Sequence, residues 1–390
     1  MRLYDPARLQ QTLSNCDASA ALAVTAPNVR YLTRFPKAGR QAAVVTADRP
    51  EDPVLVASAG DLDFVIEDLD DRVEVRGYGR FVRDVTAGVD LEATERSIQR
   101  LHESTRVDSD RDQAVADALE DRGIVRGTVV TDAHPDDLRG VSAALSDVDL
   151  IRDPGLFRQL RMVKSAPEIE RLTDVARITE AAIAAALDAA VTGATQIELA
   201  RAFRAALVPE DATLRLDNVS IGRSSAFGNA NVPDEVLQEG SLIRFDVGAI
   251  KRGYQSDMSR CAVHVRADPR IEAGYRAVHT GQQVGLDHVR PGARACDIFD
   301  VTVAAVRGAG LPHYDRTHVG HGIGLSGDGY DPPLLAPGDN TPLEAGMVLC
   351  VETPYYELGL GGLQVEDMVV VTDDGFRYLT VSDRELRIVG

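Results

Sequence analysis

Four carboxylates and one imidazole stand out by residue type and spacing. Asp246 and Asp257 lie eleven residues apart in "RFDVGAIKRGYQSDMSRC", and Glu352 and Glu366 lie fourteen apart in "CVETPYYELGLGGLQVEDMVVVT". His321 sits in "THVGHGIGLSGDG" with Gly320, Gly322 and Gly324 around it, glycines that let the backbone approach a neighbour and expose the ring. Glu352 and Glu366 each follow apolar, strand-like residues, and Asp246 and Asp257 read as lying on the two arms of one hairpin. Like charges at facing positions on half-buried strands repel, and an unpaired buried carboxylate costs several kcal/mol or takes up a proton. Something positive must therefore sit among them. Arg244, Arg252 or Arg260 would make a structural ion-pair network. The alternative is metal, because four carboxylates and an imidazole form a hard, oxygen-dominated set that suits two divalent ions such as Mn²⁺, Co²⁺, Fe²⁺ or Zn²⁺. Two such ions activate water, polarise a carbonyl and stabilise a tetrahedral oxyanion, which is the chemistry of C–N bond hydrolysis. No G-x-S-x-G elbow occurs, so serine nucleophilic catalysis is set aside.

Elements must bring these residues together. The spacing of Asp246 and Asp257 predicts one hairpin, with the two facing each other across a short turn at Lys251-Arg252. A weak internal repeat supplies the second hairpin. "LQEGSLIRFD" (237–246) matches "LEAGMVLCVE" (343–352), and "GATQIELARAF" (193–203) matches "GARACDIFDVT" (292–302). Each copy reads as helix, helix and a hairpin ending in carboxylates, and folding about a pseudo-twofold axis would join the two hairpins. Gly359, Gly361 and Gly362 read as a turn, since no helix follows them as a phosphate loop would need.

Upstream, a helix is predicted from Pro167 to Ala190, with Ser165 as N-cap and Gly193 beyond its end. The first 150 residues alternate short apolar runs ("AALAVTA", "AAVVTA", "PVLVAS", "VEVRGYG", "GTVVTDA") with helix-length stretches, the texture of an α/β domain. The expected organisation is an α/β domain over 1–155 and an α+β domain with the internal repeat over 156–390.

The chain of 390 residues carries a net charge of −19 with three lysines, Lys37, Lys164 and Lys251. Such a surface repels phosphate and excludes nucleic acid and anionic membrane as partners. Spread along the chain, the charge suits a protein working in high salt. No apolar run approaches a membrane span and "MRLYDPARLQ" lacks a signal peptide's core, so the expected location is the cytoplasm. Cys16, Cys261, Cys296 and Cys350 show no close spacing and read as free, buried thiols.

Over most of its length the sequence resembles the "pita-bread" metallopeptidases, the family of methionine aminopeptidase, Xaa-Pro aminopeptidase, prolidase and creatinase. The likeness rests on D-x-G…Y-x-S-D, GHGIGL, E-x-P and V-E-D at matching spacings, and on "NVRYLTRF" (28–35), similar to a segment of the creatinase/prolidase N-terminal domain. It implies that Asp246 chelates one metal, Asp257 and Glu366 bridge, and His321 and Glu352 hold the other. Glu352 would also move protons, with His318 beside the substrate. It further implies two divalent ions, Mn²⁺ or Co²⁺ foremost and Zn²⁺ or Fe²⁺ as alternatives, and a homodimer. The implied activity is Xaa-Pro aminopeptidase or dipeptidase cleavage of short peptides with a metal-bridged hydroxide. Four positions depart from the family pattern: Asn229, Asp328 and Thr317 stand where peptidases carry histidines, with His318 next to Thr317, and Gln364 replaces an arginine. A small shift would put Tyr330 or Asp331 in the place of Asp328. As candidate substrate contacts, Asn229, Asp328 and Gln364 leave open a same-fold hydrolase of a non-peptide C–N bond in a small amide. A non-catalytic binding module is the third reading.

Overall fold

The computed structural model describes residues 2–390 except Asn229, Asn231, Pro233, Ser326 and Asp328. The chain divides into compact units Met1–Arg161 and Met162–Gly390. The division falls a few residues beyond 155 because the Pro154–Met162 helix buries Leu156, Phe157 and Leu160 and receives a hydrogen bond from the Tyr31 hydroxyl on the Leu160 carbonyl.

The first unit is α/β, built on a seven-stranded mixed sheet. Its strands Ala18–Ala23, Ala42–Thr46, Arg49–Ser58, Glu74–Tyr78 and Gly127–Thr131 coincide with the five apolar runs. Val107–Asp108 and Val148–Arg152, short and half exposed, complete it.

The second unit is α+β. A ten-stranded sheet carries two helix pairs, Ala166–Asp188 with Gln196–Leu207 and Pro269–Asp287 with Ala295–Gly308. The helix starts were legible locally. Ser165 and Thr195 each form a reciprocal capping box with the glutamate three residues on, Glu168 and Glu198.

Alternation along the strands sorts the two faces of the sheet. In the Leu242–Lys251 strand, Ile243, Phe245, Val247 and Ala249 enter the core of the first helix pair. Arg244 and Asp246 lie on the opposite face. In the Val348–Glu352 strand, Leu349 and Val351 enter the core of the second helix pair, which leaves Cys350 and Glu352 on the other face.

The hairpin register differs from the expected one by two residues. Lys251 pairs with Tyr254, so the turn is Arg252-Gly253, and Asp246 faces Ser259 rather than Asp257. Both turn residues have positive φ, 50° and 82°, the demand of a two-residue type I′ loop, which a glycine at the second position relieves. A two-residue slip preserves facing. Asp257, two residues before Ser259, therefore still lies diagonally from Asp246 on the same side.

The two repeats meet where Ser259 stands opposite Glu366. Side chains reinforce this seam: Ser259 Oγ donates to Glu366 Oε2 (3.0 Å), and Arg260 Nη1 donates to the Glu366 carbonyl (2.7 Å). Arg260 also pairs with buried Asp367 at 2.7 Å. Although burial opposes it, Arg260 and Arg384 hold the Asp367 carboxyl below its ordinary range.

Candidate metal centre

The five expected ligand residues come from three places on the sheet. Asp246 and Asp257 arrive on the first hairpin, Glu352 and Glu366 are direct cross-strand partners, and His321 lies on Gly320–Gly322 opposite Cys350. The flanking glycines work by close approach. A Cβ on Gly320 would meet the Cys350 carbonyl at 2.2 Å, and one on Gly322 would meet the Pro332 carbonyl at 2.4 Å. The ring they flank is buried, not exposed as the sequence suggested, because the Asp331–Leu334 strand and Tyr330 cover it. The Tyr330 ring stacks on His321 with centroids 3.6 Å apart and planes at 15°.

His321 Nδ1 lies 3.1 Å from the Gly322 carbonyl, to which it can only donate, so the other nitrogen faces the carboxylates. Nε2 lies 3.5 Å from Asp257 Oδ2 and 4.0 Å from Glu366 Oε1. Donor atoms of Asp257, His321, Cys350 and Glu366 all lie within 4.8 Å of one another, and all four residues are buried. Asp257 Oδ1 has no hydrogen-bond partner. Burial, then the charges of Asp257, Glu352 and Asp246, push the Glu366 carboxyl well above its usual range. Burial also pushes Asp246 up to about 6, with Arg244 opposing and Asp257 and Glu352 adding to the rise. An orphaned carboxylate oxygen, an imidazole nitrogen aimed at acids and mutually repelling buried carboxylates all fit a bound cation.

Arginine takes part as well. Fully buried Arg244 reaches Asp246 Oδ2 (3.1 Å), Gln364 Oε1 (2.8 Å) and the Gly228 carbonyl. Arg215, which sequence reasoning missed, lies 2.8 Å from Asp257 Oδ2. It sits at an irregularity between Leu214 and Leu216 of the Thr213–Ile221 strand, which no residue pattern announces. Arg260 serves the seam, and Arg252 is a turn residue.

Around Glu352, His318 Nδ1 lies 3.2 Å from Oε1, and Gln364 Nε2 donates to Oε2 at 3.3 Å. Gln364 thus links Arg244 to Glu352. Of the other candidate substrate contacts, Asn229 and Asp328 lie outside the described residues. Tyr330 stands in the cluster. Burial, with Asp257 and Glu352 nearby, raises its phenol to about 12, so it keeps its proton near neutrality. Asp331 instead forms a buried pair with Lys164 at 3.1 Å. Cys350 was also missed as a site residue; its signal was its place two residues before Glu352, on the same strand face.

The model of metallopeptidase family M24 matches residues 170–373, just over half of the chain and the whole stretch that carries this cluster. The chain belongs to metallopeptidase family M24. Membership makes it a hydrolase, and the family implies divalent metal. It is 28% identical to the uncharacterized peptidase YqhT of Bacillus subtilis over 71% of this chain and 79% of that one. To a Xaa-Pro dipeptidase of Lactobacillus delbrueckii it is 26% identical over 64% and 69%. The Xaa-Pro dipeptidase structure from Bacillus anthracis superposes with a TM-score of 0.80 at 22% identity, covering 98% of this chain and 99% of that one. The X-Pro aminopeptidase of Thermotoga maritima gives 0.76 at 21% identity over 99% of both chains. These structures share the M24 chain's fold. Among the described residues no helix is long and apolar enough to cross a membrane.

Proposed function

We propose that this M24 chain is a dipeptidase or aminopeptidase of the Xaa-Pro type that acts on short peptides in a high-salt setting. The observation that carries the reading is the convergence of Asp257, His321 and Glu366 beside the Glu352–Glu366 cross-strand pair. We assign Asp246, Asp257, His321, Glu352 and Glu366 as metal ligands, with the ion drawn from Mn²⁺, Co²⁺, Zn²⁺ or Fe²⁺. Bound there, a divalent metal supplies Lewis acidity to the scissile carbonyl and activates water.

The remaining roles fall to the chain's own groups. Glu352 carries a proton between water and the departing amine, with Gln364 donating to one of its oxygens and the His318 ring beside the other. The Tyr330 hydroxyl donates to the carbonyl oxygen as charge develops on it. Arg244 places its charge beside neutral Gln364, the position at which the resemblance leads one to expect an arginine.

The test is a screen of metal-loaded protein in high salt against Xaa-Pro dipeptides, longer Xaa-Pro peptides and small amides. Turnover of a Xaa-Pro substrate is expected, and Asp257→Asn should abolish it. Activity retained by that variant would exclude the assigned site. Turnover confined to small amides would favour the non-peptide reading, toward which neutral Gln364 points.

A further inference from the structure

The four-donor pocket contains a group that the expected hard-ligand set did not: the Cys350 thiol. Its position follows from strand geometry. Cys350 shares a sheet face with Glu352 and pairs with His321 on one side and Met368 on the other. The side chain is fully buried and the thiol is free of any disulfide. Among the described residues the thiol makes a weak donation to the Asp257 carbonyl at 3.7 Å, which holds sulfur over the residue whose Oδ1 has no partner. Asp257 and Glu366 keep contacts of their own, to Arg215 and Ser259, as Asp246 does to Arg244 and Glu352 to Gln364. The donors that lie within 4.8 Å of one another belong to Asp257, His321, Cys350 and Glu366, two oxygens, one nitrogen and one sulfur.

We propose that Cys350 is a metal ligand, and that with Asp257, His321 and Glu366 it forms a sulfur-containing site selective for Zn²⁺ or Co²⁺ over Mn²⁺. The inference rests on reading the pocket as a metal site and adds a donor to it. A thiolate is a soft donor that favours Zn²⁺ and Co²⁺, whereas Mn²⁺ favours oxygen. On binding, the S–H bond is lost, its proton leaves to solvent and a sulfur–metal bond forms. The remaining cysteines do not compete for this role. Cys261 donates to the Gln364 carbonyl at 3.4 Å, Cys296 lies beside Asn340 and Cys16 is exposed.

Titration of the full-length, metal-free protein with Co²⁺ tests this, with bound cobalt counted by elemental analysis. Coordination through sulfur produces a strong near-ultraviolet thiolate-to-cobalt charge-transfer band. The band is expected in the wild type and in Cys261→Ser, and is expected to be lost in Cys350→Ser. Competition with a chelator should also show the preference for Zn²⁺ over Mn²⁺ falling by roughly tenfold or more in Cys350→Ser. Stoichiometric cobalt without the band in the wild type overturns the sulfur ligand and leaves the metal site standing. Protein that binds no cobalt overturns both. A band that persists in Cys350→Ser assigns the sulfur elsewhere and overturns the proposal. Should Cys350→Ser fail to fold, Cys350→Ala is read in its place, with loss of the band expected and its persistence overturning the proposal.

Discussion

Tyr330 shows how one side chain can serve a site in two ways. Its ring covers His321 in parallel stacking, which shields the imidazole from water and fixes its plane. Its hydroxyl keeps its proton at neutral pH and so can donate to a developing oxyanion. Tyr330→Phe separates the two roles by keeping the stack and removing the donor. Steady-state kinetics on a Xaa-Pro dipeptide should show kcat/KM lowered by roughly 10- to 100-fold, with kcat taking most of the loss. An unchanged kcat would remove Tyr330 from the chemistry. Sequence could not choose between Asp328 and Tyr330, because the glycine-rich segment between His321 and Tyr330 sets no periodicity. That the five residues assigned as ligands belong together was readable because their spacing is set by strand and turn lengths.

At the scale of elements, the N-terminus of the Ala166–Asp188 helix is bound up with the site's surroundings. Glu168 closes the capping box by accepting from the Ser165 amide at 2.8 Å, and its other oxygen accepts from the Tyr254 hydroxyl at 3.1 Å. Tyr254 belongs to the hairpin that carries the aspartates. Burial raises the Glu168 carboxyl from 4.5 to about 7, against the pull of Ser165, Lys164 and Tyr254. Here the folded state holds its proton more tightly than the unfolded chain does. The contribution to stability is therefore complete below about pH 4.5 and is lost as pH rises through about 7, with a span of about 3 kcal/mol. Urea unfolding of wild type and Glu168→Gln across this range should show the variant gaining relative stability as pH rises. A difference independent of pH would contradict the burial argument. Helix starts like this one were legible because a cap is local, a serine or threonine with glutamate three residues on. The hairpin register was not, because the Arg252-Gly253 turn is selected by backbone φ, and residue types alone admit the turn one place earlier.

The molecule as a whole is governed by its charge. A net charge of −19 with three lysines repels itself at low ionic strength, and salt screens that repulsion. Unfolding followed by circular dichroism should therefore show stability falling on dilution from molar salt, and stability unchanged on dilution would count against a high-salt setting. The buried pairs Lys164–Asp331 and Arg260–Asp367 are screened little by salt, so the effect belongs to the surface.

The seam at Ser259 and Glu366 gives the molecule a further property. Neither repeat owns the pocket: one brings two aspartates, the other two glutamates and the histidine, and a serine and an arginine fasten them where they touch. Heredity can act on such a joint in a way it cannot act on a site built within one hairpin. A substitution that alters how the halves meet would resize the pocket while every ligand stayed the same. Relatives with identical ligands are thereby free to differ in what they accept.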